Sequence, residues 1–325
     1  MLTKNCEPVF IVCAADDNYA MPLAVTVRSA SENLSNDHRL VVFVIDGGIK
    51  KHNKEKILRS LPSDRCEVNF ILAPEYLLAN LKEAHQYCAK HGITLNTHVS
   101  IASYYRLLIP ELLPKHIDKV IYLDCDLVVE KNLGELWQVD LGENYLLAVQ
   151  DMWIGYVSDP RGLLNYKELG IPPNTKYFNA GILFLNLKKW RDNSVTEKAL
   201  EYTKQNKDYI RFHDQDVLNG MMVGKWGELD PRWNMTPGIY DYPSWRESPF
   251  SEEEYNQIIH DPYILHFATL KPWKSRWTRN EFKANFFKYL NLTAWAGWKL
   301  TLWRRLGLKI SRELQAIFKV LKVKF

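Results

Sequence analysis

The chain has 325 residues, of which 46% are hydrophobic and 25% charged; that composition belongs to a folded protein with a large core and excludes a disordered chain. A net charge of only +4 gives no footing for nucleic-acid binding, and five scattered cysteines (Cys6, Cys13, Cys66, Cys88, Cys125) without a CxxC pair argue against a disulfide framework or zinc knuckle and for a reducing cytoplasm. The charge is unevenly placed: residues 283–325 hold ten Lys/Arg and one Glu, a net of +9, which leaves −5 on the first 282 residues.

Residues 8–14 (PVFIVCA) predict a buried first strand. The apolar run closes at Asp16-Asp17 and is too short for a signal core or a membrane span. Helical spacing follows over 21–34, with Pro22 tolerated in a first turn. Then come a predicted strand at 39–46, a helix at 51–61, a strand at 66–73, a helix at 100–113 interrupted at Pro110, and a strand at 119–129. Further strands are expected at 145–151, 180–187 and 262–268, and the polar, Pro- and Trp-rich stretch 226–250 reads as extended loops. The βα alternation of the first half predicts an α/β fold: a mostly parallel sheet with helices on both faces, binding ligands beyond the carboxyl ends of its strands. Three of the runs end there in acid: Asp16-Asp17, Asp46 and Asp124-Cys125-Asp126.

The stretch KVIYLDCDLVV (119–129) sets two aspartates into an apolar run. Buried carboxylates need a partner. On a strand, residues i and i+2 share a face, so Asp124 and Asp126 are expected to converge on one hard cation while Cys125 points into the core. An Asp-x-Asp triplet arises by chance about once in a chain of this length, and Asp214-Gln215-Asp216 is a second one.

Six blocks in order give the triplet its context: FIVCAADDNYAMPLAVTVRSA (10–30), HVSIASYYRLLIPELLP (98–114), VIYLDCDLVV (120–129), FNAGILFLNLKKWR (178–191), HDQDVLNG (213–220) and LHFATLKPW (265–273). Together they resemble the signature blocks of glycosyltransferase family 8, the retaining, metal-dependent family that includes glycogenin and the bacterial lipooligosaccharide α-galactosyltransferases. The resemblance implies a GT-A fold, a single Rossmann-like nucleotide-binding sheet joined to an acceptor region. It implies that Asp124, Asp126 and His266 hold Mn²⁺ or Mg²⁺, which bridges the diphosphate of UDP-glucose or UDP-galactose, with Lys271 opposing the phosphates. It places Ala14, Asp16, Asn18 and Tyr19 at the uridine, His98 at the phosphates, Arg106 near the donor sugar and the first aspartate, and Cys125 among the nucleotide contacts. Asp151, Asn179, Asp214 and Gln215 match the sugar-binding positions. Gln215 carries an amide, a poor nucleophile, so the family pattern favours front-face attack with the leaving phosphate taking the acceptor proton; Asp214 stays open as a nucleophile. Many relatives carry a glycine and one more residue between the histidine and the lysine, where this chain has Thr269.

Beyond the last block, Trp295, Trp298, Leu302 and Leu306 fall on one helical stripe, continued by Ile310, Leu314, Ile317 and Leu321. A basic amphipathic helix bearing Trp reads as an interfacial membrane anchor, the alternative being a helix packed on the body or on a partner. The expected organisation is therefore a catalytic domain over 1–282 and a basic tail over 283–325. The expected activity is transfer of a hexose to a lipid-linked envelope glycan by a cytoplasmic, membrane-peripheral enzyme. The rivals are a protein- or self-glycosylating transferase of the same family and a catalytically silent nucleotide-sugar binder.

Overall fold

A computed structural model describes residues 6–79, 81–82, 101–269, 271–275, 278–301 and 304, with Asn280 and Glu281 described through their backbone only. Seven strands form one sheet: β1 (Glu7–Ala15), β2 (His38–Asp46), β3 (Cys66–Ile71), β4 (Lys119–Leu123), β6 (Leu146–Gln150), β7 (Phe178–Asn186) and β8 (Trp226–Glu228), in the order β3-β2-β1-β4-β7-β6-β8. The first four run parallel, β7 runs antiparallel to both of its neighbours, and β6 and β8 are parallel to each other. The expected doubly covered α/β sheet is thus present, with one reversed strand inserted.

Alternation along the strands assigns side chains to two cores. Val9, Ile11 and Cys13 of β1 pack beneath helices Ala20–Glu32 and Lys51–Arg59, whereas Val12 joins the opposite face with Tyr104, Leu107, Trp190 and Val217. The expected helix at 100–113 is instead a 3₁₀ segment, Ile101–Leu108, leading into a short helix, Ile109–Leu112. Pro110 therefore lies in a first turn, where its missing N–H costs nothing.

The predicted strand at 119–129 is broken. β4 ends at Leu123, Asp124 N–H donates to Gly181 O at 2.8 Å, and the chain leaves the main sheet as β5 (Leu127–Val129). β5 pairs antiparallel with β9 (Ile264–His266), with Leu127 opposite His266. Its other edge is satisfied by side chains of helix Ala20–Glu32 and the residue after it. Thr26 Oγ1 exchanges hydrogen bonds with Leu127, Ser29 Oγ accepts from Val129 N–H, and Asn33 Nδ2 donates to Val129 O. These small buried hydroxyls stand in for a missing neighbouring strand and hold the break open.

Residues 226–250 are more ordered than expected. β8 is followed by 3₁₀ turns at Pro231–Asn234, Pro237–Asp241 and Trp245–Glu247, and Trp233, Met235, Ile239 and Phe250 are buried. The strand expected at 262–268 shortens to β9.

Helix Asn280–Leu290 runs through the point, after residue 282, where the sequence divides body from tail. Phe282, Phe286, Tyr289 and Leu290 pack with Phe267 and Trp273, so the apolar core continues across that point. Tyr289 Oη accepts from Asn33 and donates to Glu130, and Ala294 N–H donates to Ser60 Oγ. Trp295 and Trp298 do not share a helical stripe: the backbone turns through 291–297, with Gly297 at a φ of 74°, and both rings are half-buried against the body. Lys56 sits over Trp295, and Phe287 stacks on Trp298. The remaining stripe residues, Leu302, Leu306, Ile310, Leu314, Ile317 and Leu321, lie outside the described residues, as do His98 and Cys88. Among the described residues no helix is long and apolar enough to cross a membrane, and Cys13, Cys66 and Cys125 are free thiols.

Candidate active site

The break after β4 builds the site. Because Asp124–Asp126 is not a strand, the two carboxylates meet through the turn rather than through strand alternation. Register supplies the third group: β9 lies against β5, and Phe267 N–H donates to Asp126 O at 2.9 Å, so His266 stands beside both acids. One ligand atom each from Asp124, Asp126 and His266 lies within 4.8 Å of the others, the distance scale of a single shared ion. Gly181 makes room: a Cβ there would come within 2.3 Å of the His266 ring. Asp126 and His266 are buried and Asp124 half-buried. Cys125 turns inward as expected, and its thiol donates to Ala14 O at 3.2 Å.

Each acid has a separate counter-charge. Lys271 Nζ donates to Asp126 Oδ2 and to Phe267 O. Burial alone would raise the Asp126 carboxyl, but Lys271 and His266 hold it well below the usual carboxylate range. Arg106, buried on the 3₁₀ segment, donates from Nη2 to Asp124 Oδ1 at 2.9 Å and pairs through Nε with Asp214 Oδ2 at 2.8 Å. Its Nη1 donates to Ala180 O, and its guanidinium lies over the Tyr122 ring at 4.3 Å. The Tyr122 hydroxyl also donates to Asp124 Oδ1, at 2.8 Å. Burial pushes the Asp214 carboxyl up to about 7, the Arg106 charge notwithstanding.

The sugar-matching residues form one hydrogen-bonded group. Asp151 Oδ1 accepts from the backbone N–H groups of Trp153 and Ile154, while Oδ2 accepts from Asn179 Nδ2 at 2.9 Å and from Gln215 Nε2 at 3.1 Å. Gln215 Oε1 accepts from Ala180 N–H at 3.0 Å, so both ends of the amide are committed. This group joins the Asp124, Asp126 and His266 corner through Asn234, whose Nδ2 donates to Asn179 Oδ1 and whose Oδ1 faces His266 Nδ1 at 2.9 Å. Asn234, Gly181 and Tyr122 are absent from the residues expected from sequence. Asn234 belongs to the stretch read as extended loop, and an asparagine in RWNM has no periodicity or motif to mark it.

At the end of β1, Asp16 Oδ1 accepts from the N–H groups of Asn18 and Tyr19, which folds residues 16–19 into a tight turn. Tyr19 lies edge-on to Trp273 with Lys274 over its ring. Burial, followed by the charges of Asp126 and Asp124, drives its phenol far above the ordinary range. Asp17 and Asp46 are structural. Asp17 accepts from Lys50 N–H and Asn53, and Asp46 caps Gly48 and Ile49 and pairs with Lys54. Of the three acidic strand ends, one brings Asp124 and Asp126 to His266 and the others close turns.

Residues 10–277 match the family model for glycosyl transferase family 8. The chain belongs to glycosyl transferase family 8. General stress protein A of Bacillus subtilis is 31% identical to this transferase over 296 residues, 90% of this chain and 96% of that protein. The lipopolysaccharide 1,2-glucosyltransferase of Escherichia coli is 24% identical over 86% of this chain and 77% of its own. Among solved structures, the galactosyltransferase LgtC, determined in complex with donor and acceptor sugar analogs, superposes with a TM-score of 0.72 at 30% identity and covers 88% of this chain and 96% of its own. The family 8 transferase therefore has the expected GT-A fold, with a nucleotide-sugar donor and a glycan acceptor as its two substrates.

Proposed function

We propose that this glycosyltransferase is a retaining hexosyltransferase that uses Mn²⁺ or Mg²⁺ to move glucose or galactose from UDP to a lipid-linked glycan of the cell envelope. The observation that carries the reading is the meeting of Asp124, Asp126 and His266 beside Lys271. Three hard or borderline ligands with adjoining cationic side chains suit a divalent ion that shares its sphere with phosphate. Counting Asp151 and Asp214, the group holds four carboxylates against Arg106 and Lys271, a surplus of negative charge that such an ion offsets. When bound, the cation supplies Lewis-acid neutralisation of the charge that grows on the departing phosphate.

The protein's own groups do the positioning. Lys271 is poised to move from Asp126 to a diphosphate, a short step for a flexible four-carbon stem. Asp151, Asn179 and Gln215 offer fixed acceptors and donors for hexose hydroxyls. Asp214 is held by Arg106, and both ends of the Gln215 amide are engaged. Neither is free to attack the anomeric carbon, which supports front-face transfer with the departing phosphate accepting the acceptor's proton. Glucose and galactose are the sugars that the Escherichia coli enzyme and LgtC carry in their names, and the lipopolysaccharide acceptor of the former supports an envelope glycan.

We further propose that the enzyme works in the cytoplasm at the membrane face, with the contact made by residues 305–325, which hold six Lys/Arg and one Glu. The catalytic body then extends through the docked segment to about residue 301.

The test is calorimetry of UDP with and without Mn²⁺, paired with a screen of UDP-sugars for metal-dependent hydrolysis. UDP should bind weakly without the ion, and UDP-glucose or UDP-galactose should be hydrolysed only with it. Equal UDP affinity in both conditions sinks the metal reading. Proton NMR of fresh product should show an α-linkage; a β-linkage sinks retention.

A further inference from the structure

The polarity of His266 is set from outside the cation site, and the chain that sets it begins at a backbone group that cannot reverse. Gly181 N–H donates to Asn179 Oδ1 at 2.9 Å, so the atom of Asn179 at that point is oxygen. The same oxygen meets the Asn234 amide at 2.9 Å, so Asn234 presents its NH₂ there. Its oxygen must then face His266 Nδ1, also at 2.9 Å, and the ring nitrogen there must carry the hydrogen. The other end of the Asn179 amide confirms the direction: Nδ2 donates to Asp151 Oδ2, and Asp151 Oδ1 is held by two backbone N–H groups. Both ends of the chain are thus anchored on main-chain donors. Every member is buried: Asn234 is 1% exposed, Asp151 3%, His266 5% and Asn179 7%.

We propose that Asn234 is a positioning residue that holds His266 with hydrogen on Nδ1 and the Nε2 lone pair turned to Asp124 and Asp126, and that the same chain ties the cation site to the sugar-binding Asp151. His266 Nε2 lies 3.7 Å from Asp124 Oδ2 and 3.5 Å from Asp126 Oδ1, on the side a shared ion would occupy. A histidine ligand whose second nitrogen donates to a fixed acceptor is oriented and made more basic. Here the acceptor is an amide that also donates onward, so a displacement at one end is felt at the other.

The proposal rests on the metal reading above. Its test is threefold and uses the full chain. Long-range proton–nitrogen correlation spectra, with His266 assigned through His266→Asn, should show neutral His266 protonated at Nδ1. Asn234→Leu should weaken Mn²⁺ binding about 10- to 100-fold, the usual cost of losing such a support. Asn234→Asp keeps the acceptor for Nδ1–H and loses the donor to Asn179. It should hold Mn²⁺ affinity within a few-fold of the wild type while raising KM for the UDP-sugar more than Kd for UDP. A folded Asn234→Leu variant with unchanged Mn²⁺ affinity overturns the proposal, as does a wild-type His266 protonated at Nε2. If the leucine variant does not fold, the wild-type spectrum decides alone. A wild type with Nδ1–H but no Mn²⁺ binding overturns the metal reading, and the positioning role with it.

Discussion

In Asp124-Cys125-Asp126 the two carboxylates face a common space and the middle side chain lies in the core. In Asp214-Gln215-Asp216 the carboxylates part and the middle side chain faces the site. The difference is backbone. The first triplet is a turn between strands of two sheets; the second opens helix Asp214–Met221, where residues i and i+2 point about 200° apart. Asp214 therefore meets Arg106, while Asp216 accepts from the Tyr177 hydroxyl and from Arg211 and Phe212 N–H on the far side. His213, with a φ of 54°, makes the bend that starts this helix, a conformation a non-glycine residue adopts only where surrounding structure compels it. An identical pattern thus brings two carboxylates together in one place and parts them on either side of an amide in the other.

The contrast predicts different kinds of damage. Asp126→Asn should lower turnover about 10²- to 10³-fold, as loss of a principal electrostatic element does, and should abolish the metal dependence of UDP binding while the protein stays folded. Calorimetry and a UDP-release assay check this; full turnover would reduce the first triplet to a structural turn.

Asp216→Ala should do the reverse. It strands the buried Tyr177 hydroxyl and two part-buried backbone N–H donors, at a cost of about 3–5 kcal/mol in urea unfolding, with Mn²⁺ affinity nearly unchanged. An Asp216→Ala protein as stable as the wild type would contradict the anchor role.

In the metal-free protein the two triplets should also titrate with opposite sign. Asp126 is held below the ordinary carboxylate range, so its contribution to stability is present above about pH 4 and is lost as the pH falls through its folded value. Asp214 is raised to about 7, so the folded state keeps a proton that the unfolded chain releases, and stability falls as the pH rises from about 4 towards 7. Urea unfolding at several pH values should show the margin of wild type over Asp126→Asn growing with pH, and that over Asp214→Asn shrinking. Parallel curves would show that the two acids share one environment.

The smallest effects belong to the middle residues. Gln215→Ala should lower kcat about tenfold, the scale of one lost hydrogen bond of about 1.4 kcal/mol, with the α-linkage kept. Cys125→Ala, on the core side, should leave Mn²⁺ affinity within a factor of two and change only stability. A larger kinetic effect at Cys125 than at Gln215 would invert the assignment.

Much of the architecture was legible along the chain. β1, β2 and β3 and the helices between them follow apolar periodicity within a few residues, because each buries one face against its sequence neighbour. Legibility failed where partners are remote in sequence. The break at Asp124 is invisible because Leu127, Val128 and Val129 are as apolar as Leu123; what divides them is pairing with a strand more than a hundred residues away. At the start of the expected tail stripe, Trp295 and Trp298 carry helical spacing, yet the chain turns between them and both rings pack on the body.

By itself, the sequence determined the α/β class, the family and the chemical types at the site, because strand composition, block order and side-chain identity are local properties of the chain. Only the tertiary structure decided which acids meet. Asp16, Asp17, Asp46, Asp124, Asp126, Asp214 and Asp216 all stand at strand ends or in motif blocks, but long-range register brings only Asp124 and Asp126 to His266. It also decided the place of Asn234, whose role exists only because a parallel bridge from Met235 to Leu265 lays residue 234 beside the histidine ring. Hydrogen-bond direction along such a chain is set by its anchoring backbone N–H groups, and no sequence pattern encodes which of them a folded side chain will meet.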